Sequence, residues 1–516
     1  MNWKLILPLV MLLGSTTIAL AGKGGGEGNR SEDGDSAQRD ARSGRGMGEV
    51  ETSPAARYEI SASSLTVPDT TRIGSRNSGA PYRVGFNMIR TVPGSNLSNA
   101  SSILSDVQDV GGQGIRQVQD GDLTWFNVTG KQGAGFSFDA ADTYMQNSLG
   151  LYPIPTLFQI GPATAARNWN KSCPEEGASA SGYCREPFTT EGEALNMGDR
   201  SAKAAAEAYL TAVARHYSST SLRHFEIMNE PERYKHFDLA FFYLYRWGPD
   251  DYAKLLELAS KTIKAAMPNA RIVAGGMVYY DNQDTSGRDE MWEDFFDKTL
   301  DRGAGRYIDV VNFHYYGKWK GLEDHIGEVQ TIMKRHGIGN KPIWMTEVGS
   351  SATAGDQTKQ AADVFRFFSV AFGNGVELAN WHTHVSSHDG VNNWGGYGTR
   401  TAGGRRNLSW YSYKLFSSYL GNFGDCTPVR QGKGNIWAYR YSGSHYSTLG
   451  STERSYVVWA SKDGSSYDIS GEVPSAWKEI ELINVVPDDN GNFTVNTQSV
   501  SSPISVGKEP LLIVKH

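Results

Sequence analysis

Residues 224–231 read His-Phe-Glu-Ile-Met-Asn-Glu-Pro, and residues 342–349 read Pro-Ile-Trp-Met-Thr-Glu-Val-Gly. Each is a short, mostly apolar run that reaches a glutamate and then a residue that breaks regular structure, Pro231 or Gly349. Runs of this length, bounded by turn residues, read as buried strands. They are two of eight such runs, at 83–88, 114–118, 152–158, 224–229, 271–275, 308–314, 342–347 and 376–381. Helical patterns lie between and after them, at 201–216, 250–267, 290–300, 322–335, 360–372 and 408–419. Eight strands alternating with helices over residues 80–424 predict an α/β fold, a (β/α)8 TIM barrel. A doubly wound sheet usually carries a glycine-rich phosphate loop after its first strand, and none stands here.

Outward from this segment the pattern changes on both sides. Residues 435–441, 456–460, 479–484, 492–497 and 510–514 read as strands, with turn signals at Asp463-Gly464 and Asp489-Asn490-Gly491. They predict an accessory C-terminal antiparallel β-sandwich over 425–516. Within residues 55–79, the strand-like stretch 57–68 is expected to join that sandwich. Residues 22–54 mix glycine, serine and both charge signs without one aromatic residue, the composition of a disordered linker. Residues 1–21 have Lys4, the apolar run Leu5–Leu13 and the small-x-small site Ala19-Leu20-Ala21. That is the grammar of a signal peptide, and it predicts a secreted or periplasmic protein. No later stretch reaches the roughly 18 apolar residues of a membrane span, so no membrane association is expected after cleavage.

The chain has 516 residues and a net charge of −6, which argues against a nucleic-acid partner held by phosphate attraction. Three cysteines without a Cys-x-x-Cys pair argue against cysteine-rich zinc and iron–sulfur sites. Cys173 and Cys184 flank a Gly/Ser/Ala-rich stretch and are the disulfide candidates in an exported chain; Cys426 is left as a buried thiol.

Barrel enzymes carry their chemistry at the C-terminal ends of the strands. Glu230 ends the fourth run and Glu347 the seventh. Strand alternation places Glu226, Met228 and Glu230 on one side, and Ile343, Met345 and Glu347 on one side, so both terminal glutamates are expected to face the barrel axis. Two carboxylates flanking one bond are what glycoside hydrolysis requires, one protonated and one ionised. About 5–5.5 Å between them implies retention of anomeric configuration, and about 6.5–9.5 Å inversion.

Asn229-Glu230-Pro231 closing a fourth strand, with Glu347 closing a seventh, resembles glycoside hydrolase clan A, the retaining (β/α)8 enzymes. The resemblance covers about residues 80–420. Arg116, Phe313-His314-Tyr315-Tyr316 and Thr346-Glu347 make it most similar to glycoside hydrolase family 39. It implies that Glu230 is the acid/base, that Glu347 is the nucleophile, and that Asn229 holds the sugar 2-hydroxyl. It implies no cofactor and a carbohydrate substrate, an oligo- or polysaccharide. Arg116 has two readings: support for a catalytic carboxylate, or a structural pair with Glu226. His314 and Tyr315 are expected at the mouth of the sixth strand, and Trp381 as a stacking platform under a sugar ring. Two other functions compete: a carbohydrate-binding barrel without turnover, and a metal-dependent hydrolase. The metal reading rests on His382-Thr383-His384, whose histidines would share a strand face and be joined by His314, with carboxylate or lysine ligands wanted on other strand ends; amidohydrolases usually carry His-x-His on their first strand, where Gly85-Phe86-Asn87 stands here, so no metal is assigned.

Overall fold

The apolar runs of the central segment pair in parallel because helices separate them, and a parallel sheet covered on both faces takes apolar residues on both. The computed structural model describes residues 56–65, 80–89, 94–118, 136–139, 141–142, 151–157, 200–232, 248–279, 289–352, 356–386, 396–443 and 454–516. The signal-peptide and linker stretches, Cys173 and Cys184 lie outside the described residues.

The first strands are β1 (Arg57–Ser61), β2 (Val84–Ile89), β3 (Gly114–Val118), β4 (Tyr152–Ile154), β5 (Thr156–Leu157), β6 (His224–Ile227), β7 (Arg271–Ala274) and β8 (Met277–Tyr279). Then come β9 (Val311–Tyr315), β10 (Ile343–Val348) and β11 (Val376–His382). The helices are α1 (Ala100–Asp109), α2 (Arg200–Tyr217), α3 (Pro249–Ala266), α4 (Asp289–Asp301), α5 (Leu322–Arg335), α6 (Gln357–Gly373) and α7 (Leu408–Leu420).

Parallel pairing runs β4-β3-β2-β11-β10-β9-β8 in one sheet and β5-β6-β7 in a second. The third run, expected unbroken over 152–158, is split into β4 and β5 at Pro155, which has no N–H to give to a ladder. The fifth run, expected to end at Gly275, resumes after Gly276 as β8. A lone parallel bridge, Val273 to Val310, links the two sheets.

Helices cover one face of these strands. α5 buries Leu322, Ile326, Val329 and Met333, spaced at helical period, against it. The other face begins with an apolar layer of Tyr82, Ile154, Val273, Val310, Trp344 and Leu378. Above this layer the inward residues turn polar.

The C-terminal strands are β12 (Asp425–Gln431), β13 (Ile436–Ser442), β14 (Arg454–Ala460), β15 (Ser465–Tyr467), β16 (Glu479–Asn484), β17 (Asn492–Ser499), β18 (Ile504–Val506) and β19 (Leu511–Lys515). They form an antiparallel sheet ordered β1-β17-β16-β19-β14-β13-β12, with β15 and β18 as a separate pair. β1 closes one edge of the large sheet, with Arg57 opposite Asn496 and Ser61 opposite Asn492. Alternation gives this sheet two buried faces. Tyr456, Val458, Ile480 and Ile513 pack with Tyr467 and Ile504 of the small pair, as in a sandwich. Tyr441, Val457, Trp459 and Leu512 join the apolar cluster of the helical layer. Ser369 of α6 meets the Tyr441 hydroxyl at 2.9 Å, and Ser412 of α7 donates to the Val485 carbonyl at 2.7 Å.

Candidate active site

Arg116 on β3 is fully buried and makes contacts in every direction. Its Nε and one terminal nitrogen donate to the two Glu226 oxygens, both at 2.7 Å. That same nitrogen donates to Asn229 Oδ1 at 2.7 Å. The other donates to Asn87 Oδ1 at 2.9 Å and to Glu347 Oε1. One guanidinium therefore serves two carboxylates and two amides, and both readings of Arg116 meet in one side chain. Glu226 also accepts from Gly276 N at 3.2 Å and Asn312 Nδ2 at 3.1 Å. The buried charge is thus paired and hydrogen-bonded, as burial requires. Burial by itself lowers the Arg116 pKa, but Glu226 and Glu347 outweigh it and hold the group above its ordinary value.

Glu347 reaches the inner face by a bulge, not by simple alternation. In the β9–β10 ladder Met345 pairs with Phe313, yet Glu347 pairs with His314, so one residue of β10 is extra. Trp344 and Thr346 take the inward positions, and Met345 joins the helical side. Without the bulge, Glu347 would follow Met345. Its Oε2 accepts from the Tyr316 hydroxyl. Burial pushes Glu347 up, but His314 and Arg116, with the Tyr316 hydroxyl, outweigh this and hold it below the usual carboxylate range.

Glu230 is also set by irregular backbone. Strand β6 stops at Ile227; Met228 has φ 70° and Glu230 φ 45°, the left-handed region that side-chain-bearing residues seldom adopt. Each such residue costs roughly 1–3 kcal/mol, a strain that gathers at functional sites. Here it turns Glu230 over the strand end. Its N–H donates to Gly276 O at 3.1 Å, and its Oε1 lies 3.0 Å from His314 Nδ1. Gly276 leaves the room for this: a Cβ there would stand 2.1 Å from His314 Nε2. Glu230 and Glu347 are 7% and 5% exposed. One oxygen from each, with one His314 nitrogen, lie within 4.8 Å of one another.

These three side chains are the one group among the described residues with metal-ligand spacing. Their donor atoms are already engaged: Arg116 and Tyr316 hold the two Glu347 oxygens, and the Arg116 cation opposes a second cation beside it. The set suits proton transfer and carboxylate attack better than metal binding. His382 and His384 do not share a face. His382 Nδ1 lies 2.9 Å from Asn87 Nδ2. His384 lies behind β2, edge-on to Phe86, with Nε2 2.8 Å from Asp106.

Arg116, Asn229, Glu230, His314 and Glu347 thus come together. Two expected residues do not. Tyr315 alternates outward from β9, is fully buried, stacks on Tyr279 and donates to the Lys318 carbonyl at 2.8 Å. Trp381 alternates outward from β11 into the core beside Phe367 and Phe368, with no surface left for a sugar. Their neighbours Tyr316 and His382 take the inner positions and, with Asn87 and Thr346, complete the site. The signal lay in alternation itself: Asn312-x-His314 and Asn380-x-His382 are polar at period two within apolar strands.

The family model described as Cellulase (glycosyl hydrolase family 5) matches residues 186–387, the stretch that holds both glutamates. A family 39 glycoside hydrolase from the gut symbiont Bacteroides cellulosilyticus WH2 is 16% identical with a TM-score of 0.57, over 87% of this chain and 82% of that one. A family 39 β-xylosidase from Caulobacter crescentus is 13% identical with a TM-score of 0.51, over 88% and 98%. An α-L-arabinofuranosidase from Thermotoga maritima is 13% identical with a TM-score of 0.52, over 87% and 98%. No match was found among curated proteins. Together the family model and the solved structures bear out the resemblance to clan A glycoside hydrolases drawn from the sequence.

Proposed function

We infer that this chain is an exported glycoside hydrolase that cleaves β-linked oligo- or polysaccharides with retention, on a closed (β/α)8 barrel. The observation that carries the reading is the pair of buried glutamates whose nearest oxygens lie within 4.8 Å, with Glu347 held ionised. That bound lies well below the roughly 6.5–9.5 Å of inverting enzymes, on the side of the roughly 5–5.5 Å of retaining ones, and leaves little room for a water between carboxylate and sugar. Glu347 attacks the anomeric carbon while Glu230 gives its proton to the leaving oxygen. Glu230 then takes a proton from water, which attacks the same carbon and frees Glu347. Arg116 and Tyr316 keep Glu347 charged, and His314 holds Glu230. The orientation of Asn229, with Oδ1 on Arg116, leaves its Nδ2 to donate to the sugar. Closure of the barrel is supported by the successive parallel pairings and by the continuity of β4 with β5 and β7 with β8. Export is supported by residues 1–21, and among the described residues no helix is long and apolar enough to cross a membrane.

The test uses the mature chain with 2,4-dinitrophenyl glycosides of xylose, glucose and arabinofuranose. Proton spectra of the first-formed product should show the anomer of the substrate. Glu230→Gln should release dinitrophenol in a burst, then stall, and azide should restore turnover as a glycosyl azide. Glu347→Gln should be inactive. An inverted first product, or near-normal turnover by either variant, would overturn the assignment.

A further inference from the structure

The reading above leaves His382 without a task, although the imidazole stands in the site, 3.9 Å from Glu347 Oε2. The hydrogen-bond directions around it decide its protonation. Arg116 can only donate, so the Asn87 atom it meets at 2.9 Å is the amide oxygen. The Asn87 amide nitrogen is therefore the atom 2.9 Å from His382 Nδ1. An N–H facing an N–H would repel, so His382 Nδ1 accepts. The ring is then neutral and carries its proton on Nε2. Burial, which lowers the pKa of His382 below its ordinary value, favours the same neutral form. Nε2 has no hydrogen-bond partner among the described residues. The imidazole is clasped edge-to-face at 5.6 Å from Tyr316 and lies 5.8 Å from Tyr397, and its side chain keeps 14% exposure. An N–H donor held rigidly beside the nucleophile, with no acceptor among the described residues and open to the site, is placed to meet a ligand acceptor.

We propose that His382 is a substrate-binding residue that donates its Nε2–H to one hydroxyl of the sugar ring seated against Glu347, with Asn87 locking the tautomer. This rests on the glycosidase reading for its substrate class, but not for its tautomer. Arg116 thereby sets two donors by the same device. It takes the oxygen of Asn229 and turns that amide nitrogen toward the sugar. It takes the oxygen of Asn87 and, through Asn87, turns the His382 proton the same way. The tyrosine rings fix the plane of the imidazole, so the donor is narrow in direction and selects one hydroxyl position.

Two measurements test this. In protein labelled with 15N in its imidazoles, with His382 assigned by comparison with His382→Phe, Nδ1 should report a bare acceptor and Nε2 an N–H from pH 5 to 8. Asn87→Asp, nearly isosteric, presents an oxygen to Nδ1 and should move the proton there. A charged ring, or a proton on Nδ1 in the wild type, overturns the proposal. In the second, monodeoxy aryl glycosides derived from whichever sugar the wild type cleaves are compared across variants. The wild type should lose roughly 10- to 100-fold in kcat/KM at one deoxy position, while His382→Phe and Asn87→Asp should show no further loss there. Equal penalties at every position in wild type and variants overturn the proposal. A wild type inactive on every glycoside would instead count against the glycosidase reading, and the tautomer spectrum would still decide whether Nε2 is the donor.

Discussion

Replacing Arg116 by lysine keeps the buried charge but takes away the fork that spreads it. Arginine makes five donations here: two to Glu226 and one each to Asn229, Asn87 and Glu347. A lysine has at most three donors, all at one point. At least two bonds are lost, and hydrogen bonds to charged groups are worth about 1.5–3 kcal/mol each, so the fold should weaken by roughly 3–6 kcal/mol. The ammonium should settle on Glu226, because the Asn312 and Gly276 donors hold that carboxylate in place. Glu347 then loses its nearest cation. An opposite charge beside a carboxylate depresses its pKa by about 1–3 units, and part of that is returned. The sign follows: the nucleophile works ionised, its pKa rises, so activity is lost at a higher pH on the acid side. The acid limb of kcat/KM should move up by about one unit, and the urea midpoint should fall. A large fall in activity with an unmoved acid limb would refute the reasoning and leave Arg116 as scaffold alone.

Other outcomes follow from the same geometry. Gly276→Ala puts a Cβ 2.1 Å from His314 Nε2, so the imidazole must leave Glu230; kcat should fall at least tenfold with a stability loss of about 1–3 kcal/mol, read by kinetics and urea unfolding. His325 is enclosed by Tyr279, Trp292, Phe313 and Tyr315, and burial pushes its pKa down to about 3. The unfolded chain binds that proton near pH 6.5, so stability is full above that pH and is lost as pH falls toward 3. The loss at pH 4.5 is about 2.7 kcal/mol, and His325→Phe should remove that share of the difference between urea unfolding at pH 7 and at pH 4.5. Trp381→Phe should lower the urea midpoint and leave KM within about twofold, because the indole packs in the core; a large rise in KM at unchanged stability would restore it as a sugar platform.

How far the sequence could be read depended on whether the backbone was regular. The parallel strands and their helices follow apolar periodicity and were legible, except where Pro155 and Gly275-Gly276 interrupt the ladder. The glutamates are legible from their place at strand ends, but strand alternation does not account for their direction. Alternation alone sends Glu347 outward with Met345, and β6 ends three residues before Glu230. A bulge and two left-handed residues bring them in, and neither leaves a plain mark in residue type, since no glycine stands at 228, 230 or 346. Where the strand is regular the error ran the other way. The chemistry of Tyr315 and Trp381 suits a sugar site, but the period-two pattern places both on the outer face, and there they lie. His382 belongs in sequence to a metal-like pair that the fold separates, because Thr383 and His384 leave the inner face.

The edge strand β1 gives the large antiparallel sheet a peculiar relation to time. Its Arg57 faces Asn496, a separation of 439 residues (496 − 57), and every parallel strand is made between them. During synthesis β1 is among the first described residues to emerge, and its partner β17 among the last. Until β17 arrives, β1 is an unpaired strand with open N–H and C=O groups, the kind of edge that invites a wrong neighbour. Contacts this distant in sequence also form late, since the loop between them must close first. The two ends of the folded unit act as a clasp: a chain broken off before Asn492 keeps one half of the fastening and loses the other. Shortened products should therefore aggregate through β1 even when both glutamates and all the strands that hold them are intact.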